Sequence, residues 1–352
     1  MFNSDFLVLE FGYNNIKLIV ATVEGRNVKI KRMDLIPTIE GSILGGRIIE
    51  ADKVAGQISN HLIQNNIKAK KTILTITGSA MLMREVAVLN HSKAVIKSFI
   101  DIEASNFFPI DLSTCVVDYK IIPNEPDDKD YKILLLAIPN EIINEYLSVT
   151  KILGLKVSVI DFSSDSIARL YSKRKKYSVK NEDENTSSST AIIDIGATMT
   201  SVTITTNDVI KYNKIINFGF AYIAHAISIE NKLDSYTAEL EGKNYDVCAS
   251  YFNNEPTEAD NLVKVITTDF IENLTVFFDF HASRKTGNKI DNIVIIGEGA
   301  YQKGICELME DIFTAHISRG FEFSGVHIDK KIRGIDGKML CFYNCIGASV
   351  RA

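Results

Sequence analysis

The sequence predicts an α/β protein made by duplication, with two similar lobes around a shared cleft. Three observations predict it. Residues 7–22, LVLEFGYNNIKLIVAT, align without gaps on residues 191–206, AIIDIGATMTSVTITT. Each copy runs on into a further β-rich stretch and then into helical spacing. Between the copies lies NEDENTSSST at 181–190, charged, rich in Ser and Thr and without an apolar anchor, which reads as a solvated connection.

The elements follow in order. In the first copy an apolar run, the acid Glu10, Gly12, a short polar turn and a second β-rich run make a strand–turn–strand hairpin. The second copy repeats it, with Asp194 facing Glu10, Gly196 facing Gly12 and Ser201 facing Lys17. NVKIKRMDLI at 27–36 and DVIKYNKIINF at 208–218 read as third strands. Helical spacing follows at Val54, Ile58, His61 and Leu62, and again at Ala221, Ala224, His225 and Ile229. Later strands are expected at 72–76 and 156–160 in the first half, and at 292–296 and near 324–328 in the second. One pattern used twice implies a first lobe of 1–79 with 139–180 and a second of 191–231 with 291–352. Each lobe carries an insertion. Residues 80–138 read as strand 81–89, helix 93–107 stopped by Pro109, strand 115–123, the polar turn NEPDDKD and strand 131–138. Residues 232–290 read as helical, because Leu262, Val263, Ile266, Phe270, Leu274 and Phe277 or Phe278 recur every three or four residues.

Composition narrows the function. The 352 residues carry 39 Lys+Arg against 44 Asp+Glu, a net charge of −5. That balance speaks against a broad basic surface, so no nucleic-acid partner is expected. A hydrophobic share of 46% fills a large core and excludes global disorder. The five Cys are odd in number and hold no Cys-x-x-Cys, so neither a disulfide framework nor a zinc knuckle is indicated. Cys341 and Cys345, one helical turn apart, read as small core hydrophobes. No apolar run reaches the roughly 18 residues of a membrane span, and no secretory signal opens the chain. A cytoplasmic protein is expected, meeting a membrane only through a partner.

The chemistry is expected at the turns. A glycine after the first strand lets backbone approach a bulky anion, and turn N–H groups and hydroxyls then point at phosphate oxygens. A carboxylate at the strand end suits Mg²⁺ held through water. Asp194, Gly196, Thr198, Thr200 and Ser201 supply these parts in one copy, Glu10 and Gly12 in the other. Lys17 is open to two readings, a neutraliser of phosphate charge or a solvated strand charge. Two facing turns would clamp a triphosphate between the lobes. A third turn, Gly297, Glu298 and Gly299, follows the apolar run at 292–296 and would let a flat nucleoside lie on the backbone. The GxGxxG fingerprint is not met, since Gln302 stands where its last glycine falls, and no Walker-type loop occurs.

Together these pieces resemble the actin/Hsp70/FtsA superfamily and, within it, the PilM family of type IV pilus assembly. The resemblance rests on LEFGYNNIKLIV at 9–20, on MREVAVL at 83–89 through FIDIEASNFFPIDLSTCVVDY at 99–119, and on LGLKVSVIDFSSDSIARLY at 153–171. DIGATMTSVTI at 194–204, GEGAYQKG at 297–304 and IGASVRA at 346–352 complete it. It implies a duplicated actin-like (RNase H-like) ATPase fold, two lobes around a nucleotide cleft, with an FtsA/PilM-type inserted subdomain at 80–138. It implies ATP and Mg²⁺ as cofactors, with Glu10 and Asp194 towards the metal, through water. Glu10, Gly12 and Lys17, with the backbone of Tyr13, Asn14 and Asn15, would form the first phosphate turn. Asp194, Gly196, Ala197, Thr198 and Ser201 would form the second, and Gly297, Gly299 and Ala300 the adenosine turn. Glu239 and Lys243 fall where family members contact adenine or ribose. Glu298 replaces a middle glycine, and its carboxylate is expected to face solvent. Ser163 stands where superfamily hydrolases place Glu or Gln, so ATP binding with slow or negligible turnover is expected, and no catalytic residue is nominated.

The implied role is a cytoplasmic ATP-binding scaffold recruited to the inner face of the cell membrane. Its partner would be the N-terminal cytoplasmic peptide of PilN, with other pilus platform components beside it. A peptide groove is expected along 81–89, helix 93–107 and adjoining parts of 72–79. There Val86, Val88, Ile100, Ala104 and Phe107 either line the groove or pack the module's own core. Nucleotide state is expected to be coupled to peptide binding. The alternatives are an FtsA-like cell-division protein and an actin-fold small-molecule kinase, the latter using Asp161 or Asp165. FtsA-like chains continue into a C-terminal amphipathic helix, whereas this sequence reads IGASVRA to Ala352, which favours PilM.

Overall fold

The computed structural model describes residues 4–88, 93–122, 131–175, 188–233, 235–284, 289–335 and 337–352. The chain opens with a meander, β1 (Phe6–Phe11), β2 (Asn15–Glu24) and β3 (Asn27–Pro37). A short hairpin, β4 (Ile43–Leu44) and β5 (Arg47–Ile48), leads into α1 (Ala51–Gln64). Val54, Ile58 and Leu62 bury one face of α1, as their spacing predicts. β6 (Lys71–Ile76) then lies parallel to β1.

The inserted segment is a three-stranded sheet with one helix. β7 (Leu82–Val88), α2 (Lys93–Glu103), β8 (Cys115–Ile122) and β9 (Tyr131–Pro139) follow in sequence, and β9 pairs antiparallel to both neighbours. α2 ends earlier than residue 107, because residues 104–106 tighten into a 3₁₀ turn ahead of Pro109. The chain returns through α3 (Asn140–Ile152), β10 (Lys156–Phe162) and α4 (Ser163–Tyr171).

The second half repeats the plan. β11 (Ser189–Ile195), β12 (Thr200–Thr206) and β13 (Val209–Ile216) form its meander, followed by α5 (Phe220–Asn231). Ser189 and Thr190 therefore belong to a strand and not to the connection expected at 181–190; residues 181–187 lie outside the described residues. Three helices come next, α6 (Ser235–Asn244), α7 (Val247–Tyr251) and α8 (Glu258–Arg284). The aromatic stripe of α8 is core, with Phe270, Leu274, Phe277 and Phe278 buried. The chain closes with β14 (Ile290–Ile296), α9 (Ile305–Ile312), β15 (His316–Arg319), β16 (Val326–Ile328) and α10 (Tyr343–Ser349).

The sheets run β10–β6–β1–β2–β3–β16 and β13–β12–β11–β14–β15. Leaving β16 aside, the two orders are the same. β16 corrects the sequence reading: it pairs parallel to β3 of the first sheet, with Val326 opposite Val28. The fifth strand of the second sheet is instead β15, parallel to β14. The α5 face is also corrected. Phe220, Ile223, Ala224 and Ile227 are buried, while His225 and Ile229 are exposed.

Strand alternation divides the core. Phe6 and Val8 point into a core continuous with the second sheet, whereas Leu7 and Leu9 point towards α1 and α3. Two helices sit between the sheets, each on the other lobe's side. α10, the last helix, packs on β1, β2 and β6, while α4 packs on β12 and β13. They cross closely at Gly347, where a Cβ would overlap the Ser166 carbonyl. Among the described residues no helix is long and apolar enough to cross a membrane.

Candidate functional site

The two meanders bring their hairpin turns face to face. In each, an acid ends the first strand directly opposite a polar residue of the second: Glu10 pairs with Lys17, and Asp194 with Ser201. Each turn closes by the same bond. The Gly12 amide donates to the Asn15 carbonyl at 3.1 Å, and the Gly196 amide to the Met199 carbonyl at 3.0 Å. A Cβ at Gly12 would stand 2.6 Å from that carbonyl, and one at Gly196 2.8 Å from its own, so both turns require glycine.

A cavity of about 50 Å³ lies between the turns, lined by Glu10, Gly12, Tyr13, Asn14, Lys17, Asp194, Gly196, Ala197, Thr198, Ser201 and Glu298 among others. It adjoins a wider pocket of about 670 Å³ that shares Tyr13, Asn14 and Thr198 and takes in Asn15, Thr38, Phe220 and His225. Ser201 accepts a bond from Asn213 Nδ2 at 2.9 Å, which fixes it in the wall. Thr200 faces away and donates to the Phe218 carbonyl.

The charges meet at the bottom of the cleft. Lys17 is buried and donates to Glu10 Oε1 at 2.8 Å, so the reading of a solvated strand lysine is corrected. Burial alone would depress the Lys17 ammonium, but Glu10, Asp194 and Glu298 together raise it, and it stays charged. Burial pushes the Asp194 carboxyl up to about 6; Lys17 opposes that shift and Glu10 adds to it. Asn344, on α10, spans both acids, donating to Asp194 Oδ2 at 2.7 Å and reaching Glu10 Oε1 at 3.4 Å. Cys345 donates to Glu10 Oε2 at 3.6 Å, and burial keeps its thiol protonated.

Several expectations change here. The Glu298 carboxylate does not face solvent: it accepts from Asn15 Nδ2 at 3.2 Å across the cleft and lines the cavity. Gly297 and Gly299 are explained by packing, because a Cβ at either would overlap Asp194 Oδ1 or Ile195 on β11. Ala300 is fully buried. None of these three lines the cavity or the wider pocket. Lys243 lies over the Phe220 ring at 5.3 Å, beside that pocket. The Glu239 side chain lies outside the described residues. Asn344 escapes sequence reading because no local motif marks it; its place comes from α10 crossing both lobes. Thr77, which follows β6, also went unread. Its hydroxyl is buried without a hydrogen-bond partner in the cavity wall.

The sequence matches the family described as "Type IV pilus assembly protein PilM" over residues 9–336. This chain belongs to the PilM family. Among solved structures it is similar to the PilM-PilN type IV pilus biogenesis complex, at 18% identity and a TM-score of 0.81, covering 99% of this chain and 98% of that one. It is also similar to the ethanolamine utilization protein EutJ from Carboxydothermus hydrogenoformans, at 8% identity, 99% and 90% coverage and a TM-score of 0.53. MreB5 of Spiroplasma citri bound to ADP matches at 12% identity, 98% and 95% coverage and a TM-score of 0.52. The fold is the actin-like ATPase fold.

In this PilM-family chain the inserted module is self-contained on one face. Val86, Val88, Ile100 and Ala104 are buried with Ile96, Phe108 and Leu135, and Phe107 packs against them half-buried. Strand alternation turns Val86 and Val88 towards α2, so they form the module's core and do not line an open groove. The opposite face of the module meets both lobes: Ile122 and Leu134 pack with Ala168 of α4, from the first lobe, and with Ile210 of β13, from the second.

Proposed function

We propose that this chain is a nucleotide-binding scaffold of type IV pilus assembly, holding ATP with Mg²⁺ between its lobes and the N-terminal peptide of PilN on its inserted module. One observation carries the nucleotide reading: two turns of identical bonding, one per lobe, face each other across a cavity that opens into a pocket of nucleoside size. The donor set fits such a ligand. The orphaned Thr77 hydroxyl needs a partner, and the acids Glu10 and Asp194 outnumber Lys17, which suits a phosphate arriving with a divalent cation. Mg²⁺ would neutralise phosphate charge there, held through water by Glu10 and Asp194. Lys17 would offset the remaining charge, and the tips at Tyr13, Asn14, Ala197 and Thr198 would face the phosphates. The same fold holds ADP in MreB5 of Spiroplasma citri.

Turnover is expected to be slow. Ser163 is buried, and its hydroxyl is too weak a base to activate water as a carboxylate would. Asp161 is fully buried and bonded to Ser166, Arg169 and Arg351, and Asp165 is bonded to Lys120 and Arg169. Neither carboxylate is left to serve as a base, which also disfavours the kinase reading.

The partner reading rests on family membership and on the likeness to a PilM-PilN complex. The nucleotide reading is tested by thermal shift. A ligand at about 100 times its Kd stabilises by about 2.7 kcal/mol. The wild type should shift with millimolar ATP-Mg²⁺, and Asp194→Ala should lose the shift while still folding. A wild type that does not shift would leave a cleft that binds no nucleotide. Calorimetry with a synthetic PilN N-terminal peptide tests the partner separately.

A further inference from the structure

A recess of about 910 Å³ lies at the far end of the first sheet from the cleft. β1, β6 and β10 run parallel, and Phe6, Lys71 and Lys156 stand side by side where they begin. The cleft acids lie towards the other ends of these strands, where Glu10 pairs with Thr75. The recess is lined by Lys31, Arg32, Lys68, Lys70, Lys71 and Lys156, with Asp5 the one carboxylate. A β-bulge between β2 and β3 places it partly there: Val20 pairs with Arg32 and Ala21 with Ile30, so Lys31 is the extra residue. Lys31 pairs with Asp5 and Arg32 with Asp34, while Lys68, Lys70 and Lys156 make no ion pair among the described residues.

Six cations and one carboxylate line this recess, so the rest of a chain of net charge −5 carries −10. An anionic sheet would on balance repel the rest of the chain and attract this face, which favours an orientation as well as a contact. The chemistry of the lining favours phosphodiester headgroups. Five of the six cations are lysines, flexible point charges that sum their attraction to an anionic lipid surface without needing a fixed bidentate geometry. No lining residue is aromatic, so nucleic-acid bases have no stacking platform. Val20, Ile67 and Ala69 supply apolar wall between the charges.

We propose that this recess docks the chain directly on the anionic headgroups of a phospholipid bilayer, independently of any protein partner and of the nucleotide cleft. The test is co-sedimentation of the full chain with phosphatidylcholine vesicles made with and without phosphatidylglycerol. Binding is expected only with phosphatidylglycerol, and should weaken as salt rises. Lys68→Glu, Lys70→Glu and Lys156→Glu together should weaken it by at least about a hundredfold. Lys264→Glu, Lys289→Glu and Lys338→Glu together make the same change in net charge away from the recess and should retain binding. Melting temperature checks that both variants fold. No binding by the wild type, equal binding by both variants, or tighter capture by soluble polyglutamate than by vesicles would each overturn the proposal.

Discussion

Asp194 carries the most informative single titration. Its folded pKa of about 6 lies above the unfolded value near ~3.9, so the folded state holds that proton more tightly. The stabilising contribution is complete below about pH 4 and is lost as pH rises through about 6. Asp194→Asn keeps the neutral form throughout. The variant's melting temperature should therefore gain on the wild type between about pH 4 and 6 and hold a constant lead above that. A lead that does not change with pH would mean Asp194 is not the titrating group. Glu298 supplies the second residue test. Its carboxylate, held by Asn15, faces the space a phosphate would take and adds a like charge. Glu298→Gln should tighten ATP-Mg²⁺ binding by at least about tenfold in calorimetry, because like charges brought together are costly. Weaker binding would mean that the carboxylate helps to hold the cation. At this scale the sequence was legible where one strand end repeats another, as with Glu10 and Asp194. It was silent where a residue acts through a distant crossing, as with Asn344, and it did not reveal that Gly297 also packs against Asp194 and Ile195.

Helices α4 and α10 decide how the lobes hold together. Gly347 lets α10 lie on the Ser166 carbonyl, and Arg169 of α4 donates to the Gly347 carbonyl at 3.1 Å. Gly347→Ala should force the pair apart and cost about 1–3 kcal/mol in urea unfolding. Gly56 is the control. It lies within α1 with nothing within 4 Å of its added Cβ, so Gly56→Ala should stabilise by about 0.5–1 kcal/mol. Equal effects would show that the crossing tolerates a methyl group. Element placement shows the same division between local and distant information. The meanders and α8 follow from period-two and helical spacing in their own residues. The pairing of β16 with β3 does not, because a three-residue strand carries too little pattern to name its partner. Nor does the period reveal that α4 and α10 each pack on the opposite lobe.

Across the whole molecule, the inserted module touches both halves of the jaw. It is continuous with the first lobe through β9 and α3, and its outer face packs Ile122 and Leu134 on Ala168 of first-lobe α4 and on Ile210 of the second lobe. Polar contacts reinforce both sides: Lys120 of β8 donates to Asp165 of first-lobe α4 at 2.7 Å, and Lys211 of second-lobe β13 stands 3.7 Å from Glu85 of β7. A change in lobe spacing must therefore either carry the module along or break this contact. A nucleotide that drew the turns together would thereby be linked to whatever binds the module, and the linkage would be reciprocal. ATP-Mg²⁺ should change the affinity of the PilN peptide by a factor of about 5–150 in calorimetry, the range of ordinary allosteric coupling. Ile210→Ala opens the apolar contact without touching the cleft. It should bring that factor towards one while ATP and peptide each still bind alone. Equal peptide affinity with and without nucleotide in the wild type would separate the two sites altogether. A factor unchanged in Ile210→Ala would place the link elsewhere, with the Lys120–Asp165–Arg169 chain of charges as the remaining route between module and hinge.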